Sequence, residues 1–189
     1  MRAPLTQAEI DARLAILRLD RSPEPMEIWK VFAVAGFALA ILVCHATWGW
    51  VPLLDYLNLA IHEAGHPLTA IVWQRLEPYG GTIFQIAFPV AIALHFHRRG
   101  EPASAAVCEI WLAESLLNVA RYMADARLQE LPLVGGGDHD WTRIFGERWG
   151  VLHLDGFFAG ATRLAAVGLM VWALWRLYRA WQVSHEEVY

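Results

Sequence analysis

At positions 62–66 the chain reads His62-Glu63-Ala64-Gly65-His66, an HExxH pattern. On a helix, side chains at i and i+4 stand one turn apart on the same face, so both imidazoles reach one metal ion. Zinc held that way lowers the pKa of its water toward about 7, and Glu63, one residue on, reaches that water as general base. Two histidines leave a catalytic zinc site short of a third protein ligand. Asp125 is the first candidate, because a carboxylate completes a two-histidine site. His139 and Asp140, in Asp138-His139-Asp140-Trp141, are the alternatives, either as ligands or as groups that hold a ligand or substrate. The glycines at 135, 136 and 137 free that loop to fold back over a site. Asn118 falls in a polar stripe with Glu114, Arg121, Tyr122 and Asp125 at spacings of three and four, one helical face, and is a candidate for holding an oxyanion. The plainer account of that stripe is a structural network among helices. For the 138–141 loop it is ordinary solvation.

The elements that position these residues are membrane elements. Of 189 residues, 57% are hydrophobic and 18% charged, mean hydropathy is +0.33, and the formal net charge of −4 offers no basic field for nucleic acid. Two cysteines, Cys44 and Cys108, exclude a disulfide framework and a Cys-rich zinc module. From Val31 to Leu54 no side chain carries a formal charge, and that run exceeds the length of about 20 residues that spans a bilayer core. Trp29, Trp48 and Trp50 flank that run as an interfacial belt does. The polar, charged stretch before Val31 argues against a signal peptide. Ionisable groups inside a span cost about 2.5–3.5 kcal/mol each on insertion scales, so His62, Glu63 and His66 together point to function.

The fold class expected is an all-α integral membrane protein, a bundle of four or five transmembrane segments. Residues 1–27 read as a cytoplasmic arm with a short amphipathic helix capped by Thr6. Residues 28–181 form one multi-pass domain and 182–189 a tail. Residues 51–74, 103–127 and 156–175 are the further spans. The uncharged run 82–97 is short for a span and contains Pro89. Read as dipping in and returning, it leaves four spans with Arg98, Arg99, Arg176 and Arg179 on the cytoplasmic side beside Arg13, Arg18, Arg21 and Lys30. Gly80 and Gly81 suit a tight turn or a short extended edge within a re-entrant or hairpin element near 76–90, and such an edge can take a substrate strand by β-augmentation.

The HEAGH helix, the Gly-Gly element, a short apolar segment and a polar helix with Asn118 and Asp125 follow the order found in the site-2 protease family, which the chain resembles. That resemblance implies an intramembrane zinc metalloprotease. His62 and His66 match the family's histidine ligands, Glu63 its base, and Asn118 and Asp125 its Asn and Asp by order and separation. Asp125 sits in Tyr-Met-Ala-Asp-Ala-Arg where the family has Leu-Asp-Gly, and Asp155 has the Leu-Asp-Gly setting further along the chain. Over residues 56–155 the chain is also similar to small uncharacterised bacterial membrane proteins with HEAGH-like and HDW motifs. The expectation is a bacterial inner-membrane peptidase with one zinc per chain, its N-terminus cytoplasmic, in contact with membrane lipids and acting on a membrane protein or peptide. Two rivals stand beside it: a metal-binding subunit or adaptor without catalysis, and a zinc hydrolase of a lipid or amide. A transporter fits least, because no two-half repeat is present.

Overall fold

The apolar run after residue 27 forms α1 (Ile28–Thr47). The computed structural model describes Thr6, Glu9, residues 25–134 and residues 138–186. Only Val34, Ala38 and Ile41 of α1 are buried, while Phe32 is 70% and Leu39 62% exposed. Apolar side chains turned outward all along a helix are suited to lipid. Then come α2 (Leu54–Val72), a 3₁₀ turn at Gln74–Leu76, α3 (Glu77–Arg98), α4 (Pro102–Ala124) and α5 (Asp155–Glu186). Among the described residues all regular structure is helical. This is the expected all-α membrane bundle. The amphipathic helix expected within residues 1–27 lies outside the described residues apart from its cap, where Glu9 N–H donates to Thr6 Oγ1 and Thr6 N–H to Glu9 Oε2.

Helix α4 is the hub: 56% of its apolar stretch is buried, against 17–28% for the other apolar helices. Its Ala106, Ile110 and Ala113 pack with Ile41 of α1 and with Met170, Ala173 and Leu177 of α5. Small residues at these crossings let backbones approach closely, which is how helices associate in lipid. Helix α5 continues through Glu186, so the 182–186 part of the expected tail is helical.

Four stretches are long and apolar enough to cross a membrane, Ile28–Thr47, Gln74–Arg98, Pro102–Ala124 and Leu152–Glu186. The number agrees with the four-span reading; the membership does not. Residues 82–97 are no re-entrant or hairpin element, because Glu77 to Arg98 is one helix of 22 residues. Within it Gly80 and Gly81 serve a helix crossing: a Cβ on Gly65 would lie 2.3 Å from Gly80 O, and one on Gly80 2.1 Å from Thr69 Oγ1. A helix satisfies its own backbone groups in the bilayer, which an extended edge does not.

Helix α2 is the element that does not run end to end. Met26 N–H donates to Ser184 Oγ, and His97, Glu109 and Arg176 form one ion-paired cluster, so the start of α1, the ends of α3 and α5 and the start of α4 share one end of the bundle. At the opposite end Arg121 donates to Gly49 O, just before α2, and Arg143 to Glu77, just after it. Both termini of α2 therefore lie at that second end. Its Asp55, Asn58, His62 and Thr69 face buried partners on α3, α4 and the 138–151 loop.

Candidate metal centre

The HEAGH segment lies inside α2, so His62 and His66 stand on one face, their rings 5.0 Å apart. Pro67, also inside α2, has no N–H for the Glu63 carbonyl one turn back. Gly81 opposite makes room for the His62 ring, since a Cβ there would lie 2.3 Å from Nε2. The third group is Asp140. Its Oδ2 lies 3.0 Å from His62 Nε2 and 3.3 Å from His66 Nε2, and the three ligand atoms fall within 4.8 Å of one another.

Asp140 arrives there by packing. Asp140–Thr142 form one helical turn that passes into a π-type turn over Arg143–Arg148. Trp141, Ile144 and Phe145 are buried against Val119, Ala126 and Phe158, with Phe145 stacked on Phe158 at 5.1 Å. Burying each such side chain is worth about 1.5–3 kcal/mol in an aqueous reference. Arg143 Nη1 donates to Glu77 Oε2 at 3.0 Å, and Asp140 N–H to Tyr122 Oη at 3.2 Å. The loop is thus a docked lid, neither solvated nor free.

The outer nitrogens orient both rings. His62 Nδ1 is 3.1 Å from Gln85 Oε1, and His66 Nδ1 is 2.9 Å from the Glu77 backbone carbonyl. Both partners are acceptors, so each Nδ1 carries a proton, and Nε2 is the nitrogen that each ring turns to the Asp140 carboxylate. Burial raises the Asp140 pKa, but the two imidazoles at Oδ2 outweigh it and hold the carboxyl below the usual aspartate range. Two nitrogen lone pairs and a carboxylate oxygen this close repel unless a cation sits among them, as protons on the rings or as a divalent ion. This donor set is the two-His, one-carboxylate set of catalytic zinc sites.

Asp125 is not brought to this group. Its carboxylate accepts from Glu130 N–H (2.9 Å) and Leu131 N–H (3.1 Å) and faces His139 Nε2 at 3.4 Å. It ties down the turn after α4. His139 also stays outside: its Nδ1 accepts from Thr142 N–H, and its ring packs on Tyr122 at 4.1 Å. Burial pushes its imidazole pKa down. Of the three candidates for third ligand, Asp140 is the one brought to the two histidines. Asn118 gives one of its two amide hydrogens to Asp55 Oδ1 at 2.8 Å and lines the cavity beside Glu63.

Glu63 differs from all of these. Among the described residues none hydrogen-bonds to its carboxylate. It lines two cavities that meet beside the histidines. One, of about 290 Å3, is bordered by Trp50, Leu59, Val119 and Leu133; the other, of about 450 Å3, by His66, Glu77, Asp138 and Arg143. Asp55 and Glu77 are site residues that motif reading passed over, whereas Gln85 closes the Gly80-Gly81-Thr82-x-x-Gln85 pattern. Asp55, Asn58, His62 and Thr69 recur at helical spacing on α2, and that polar face was the available signal. No family model matches the chain, and neither a curated protein nor a solved structure is similar to it.

Proposed function

We propose that this chain is a membrane-embedded, metal-dependent hydrolase in which His62, His66 and Asp140 hold one divalent ion, zinc the candidate, and Glu63 is the general base. The observation that carries the reading is the convergence of two Nε2 atoms and one carboxylate beside an uncommitted Glu63. A divalent ion there supplies Lewis-acid polarisation of a carbonyl and an acidified water. Glu63 accepts a proton and returns it to the leaving group. Gln85 and the Glu77 carbonyl hold the two rings, and the lid carrying Asp140 shields the site from the aqueous side. Three protein ligands, with Asp125 and His139 turned away, favour an open catalytic sphere over a closed structural one.

The substrate bond in this proposal is a carbonyl-centred one, peptide or amide. The site-2 protease resemblance favours a peptide within the membrane. The helical course of 76–90 removes the edge that strand addition needs, and the apolar cavity beside Glu63 favours an apolar-chained amide or ester, the second reading. Lys30, Arg98, Arg99, Arg176 and Arg179 lie toward the end of the bundle away from the site, and Arg75, Arg121, Arg127, Arg143 and Arg148 toward the site end. Arg13, Arg18 and Arg21, which precede α1 in the sequence, tip the count. By the positive-inside rule the end away from the site is the cytoplasmic one in this proposal, with the N-terminus, in a bacterial inner membrane.

The test is metal content of the detergent-purified protein by elemental mass spectrometry, with His62→Ala beside wild type. About one zinc per chain, lost in the variant, is the expected result. Absence of stoichiometric metal under conditions that prevent stripping overturns the reading and leaves a protonated His–Asp cluster. Glu63→Gln keeps the metal and lowers turnover of a trapped substrate by about 10²–10⁴-fold.

A further inference from the structure

We infer that Gln85, Asn118 and Asp55 are positioning residues, a one-way hydrogen-bond relay that keeps a proton on His62 Nδ1 and so leaves Nε2, turned to Asp140, as the nitrogen that binds a metal. The inference deepens the metal-site reading above and rests on it for its functional meaning.

Direction in the relay follows from its anchor. Asp55, 1% exposed, accepts from Val51 N–H through Oδ2 at 2.7 Å and from Asn118 Nδ2 through Oδ1 at 2.8 Å. A carboxylate only accepts, so Asn118 must turn its NH₂ group to Asp55. Its carbonyl then faces the other way and accepts from Gln85 Nε2 at 3.4 Å. Gln85, 2% exposed, is left presenting Oε1 to His62 Nδ1 at 3.1 Å. A carbonyl oxygen also only accepts, so the ring proton stays on Nδ1. Turning either amide over sets donor against donor or acceptor against acceptor in a buried place, where unmade hydrogen bonds are costly. His66 receives the same orientation from a backbone carbonyl, which has no second state. His62 has its Nδ1 partner on a side chain, and through that chain of side chains the turn between α1 and α2 reaches the site.

The test uses the full-length protein in detergent, with zinc alone as probe. Two readouts are taken: zinc affinity by competition with a chelator, and the ¹⁵N signature of the neutral His62 ring in metal-free protein, assigned by its loss in His62→Ala. Asp55→Asn reverses the relay: its amide group faces Asn118, which turns its carbonyl to it and its NH₂ to Gln85, and Gln85 then turns its own NH₂ to His62. That variant is expected to weaken zinc binding about 10–100-fold, the usual cost of disturbing a ligand's hydrogen-bond partner, and to mix the His62 tautomers, whereas Asn118→Asp alone keeps an acceptor for Gln85 and the Nδ1–H signature. The exchange Asp55→Asn with Asn118→Asp restores the direction, because the exchanged amide donates to the exchanged carboxylate, which still accepts from Gln85. Recovery of affinity and of the Nδ1–H signature in that double variant supports the relay. A double variant no better than Asp55→Asn alone, or an unchanged ring signature in Asp55→Asn, overturns it.

If the singles do not fold, Gln85→Leu against Gln85→Glu carries the same comparison. The carboxylate keeps an acceptor at Nδ1 and preserves the signature; leucine loses it. Zinc binding that ignores every variant sinks the relay and leaves the metal reading standing. A responsive ring signature in a chain that binds no zinc does the reverse.

Discussion

Glu63 and the two histidines it lies between are treated oppositely by their surroundings. The histidine rings are each held at the outer nitrogen, and Asp140 meets both at the inner one. Glu63 faces two cavities with no described partner. A ligand needs a fixed direction, whereas a base needs access to a proton, and the environments divide along that line. Asp140→Ala is therefore expected to lose bound zinc as completely as His62→Ala. Asp125→Ala is expected to keep it, because that carboxylate is spent on the N–H groups of Glu130 and Leu131. Elemental analysis of the two aspartate variants side by side checks this, and zinc loss confined to Asp125→Ala would return the third ligand to the sequence reading.

Two elements carry the site. The α2–α3 crossing depends on glycine for space rather than for backbone freedom. Gly80→Ala drives a methyl group into Thr69 Oγ1 and the Gly65 carbonyl and is expected to cost about 1–3 kcal/mol, as overpacking does. Gly36→Ala, with nothing within 4 Å of the new methyl, is the matched control and should leave the unfolding temperature in detergent unchanged or slightly raised. The lid depends on its aromatic anchor. Phe145→Ala removes a fully buried ring and is expected to cost about 3–5 kcal/mol. Because Asp140 rides on the same turn, zinc retention against a chelator should fall with it. Unchanged retention would show that the lid's packing and the ligand's position are separate.

The whole molecule is polarised along its long axis. One end holds the start of α1, the ends of α3 and α5 and the His97–Glu109–Arg176 cluster; the other holds both ends of α2, the lid and the His62–His66–Asp140 group. If the first of these ends is cytoplasmic, substrate reaches the site from the opposite side of the membrane or laterally from that leaflet. A chain with Cys44 and Cys108 replaced and a single cysteine introduced reads this directly. With Glu130→Cys, a membrane-impermeant maleimide labels intact cells; with Glu186→Cys, it labels only after lysis. The reverse pattern inverts the orientation and leaves the site chemistry untouched.

Much of this was legible in the sequence for a plain reason: it depends on neighbours along a helix. The charge-free run from Val31 to Leu54 required a membrane element, and the i, i+4 spacing of His62 and His66 required a shared face. The face formed by Asp55, Asn58 and His62 was equally local. The carboxylate that meets the two histidines was not local. Asp125 and Asp140 are equally good carboxylates in composition; what separates them is that Asp125 closes a turn by accepting backbone N–H groups, whereas Phe145 and Ile144 anchor Asp140 over α2. The roles of 51–74 and 82–97 were exchanged for a related reason. Hydropathy counts what a helix contains, but whether it crosses depends on where its ends are held. For α2 those holds, Arg121 on Gly49 and Arg143 on Glu77, come from helix α4 and the lid, both remote from it in sequence.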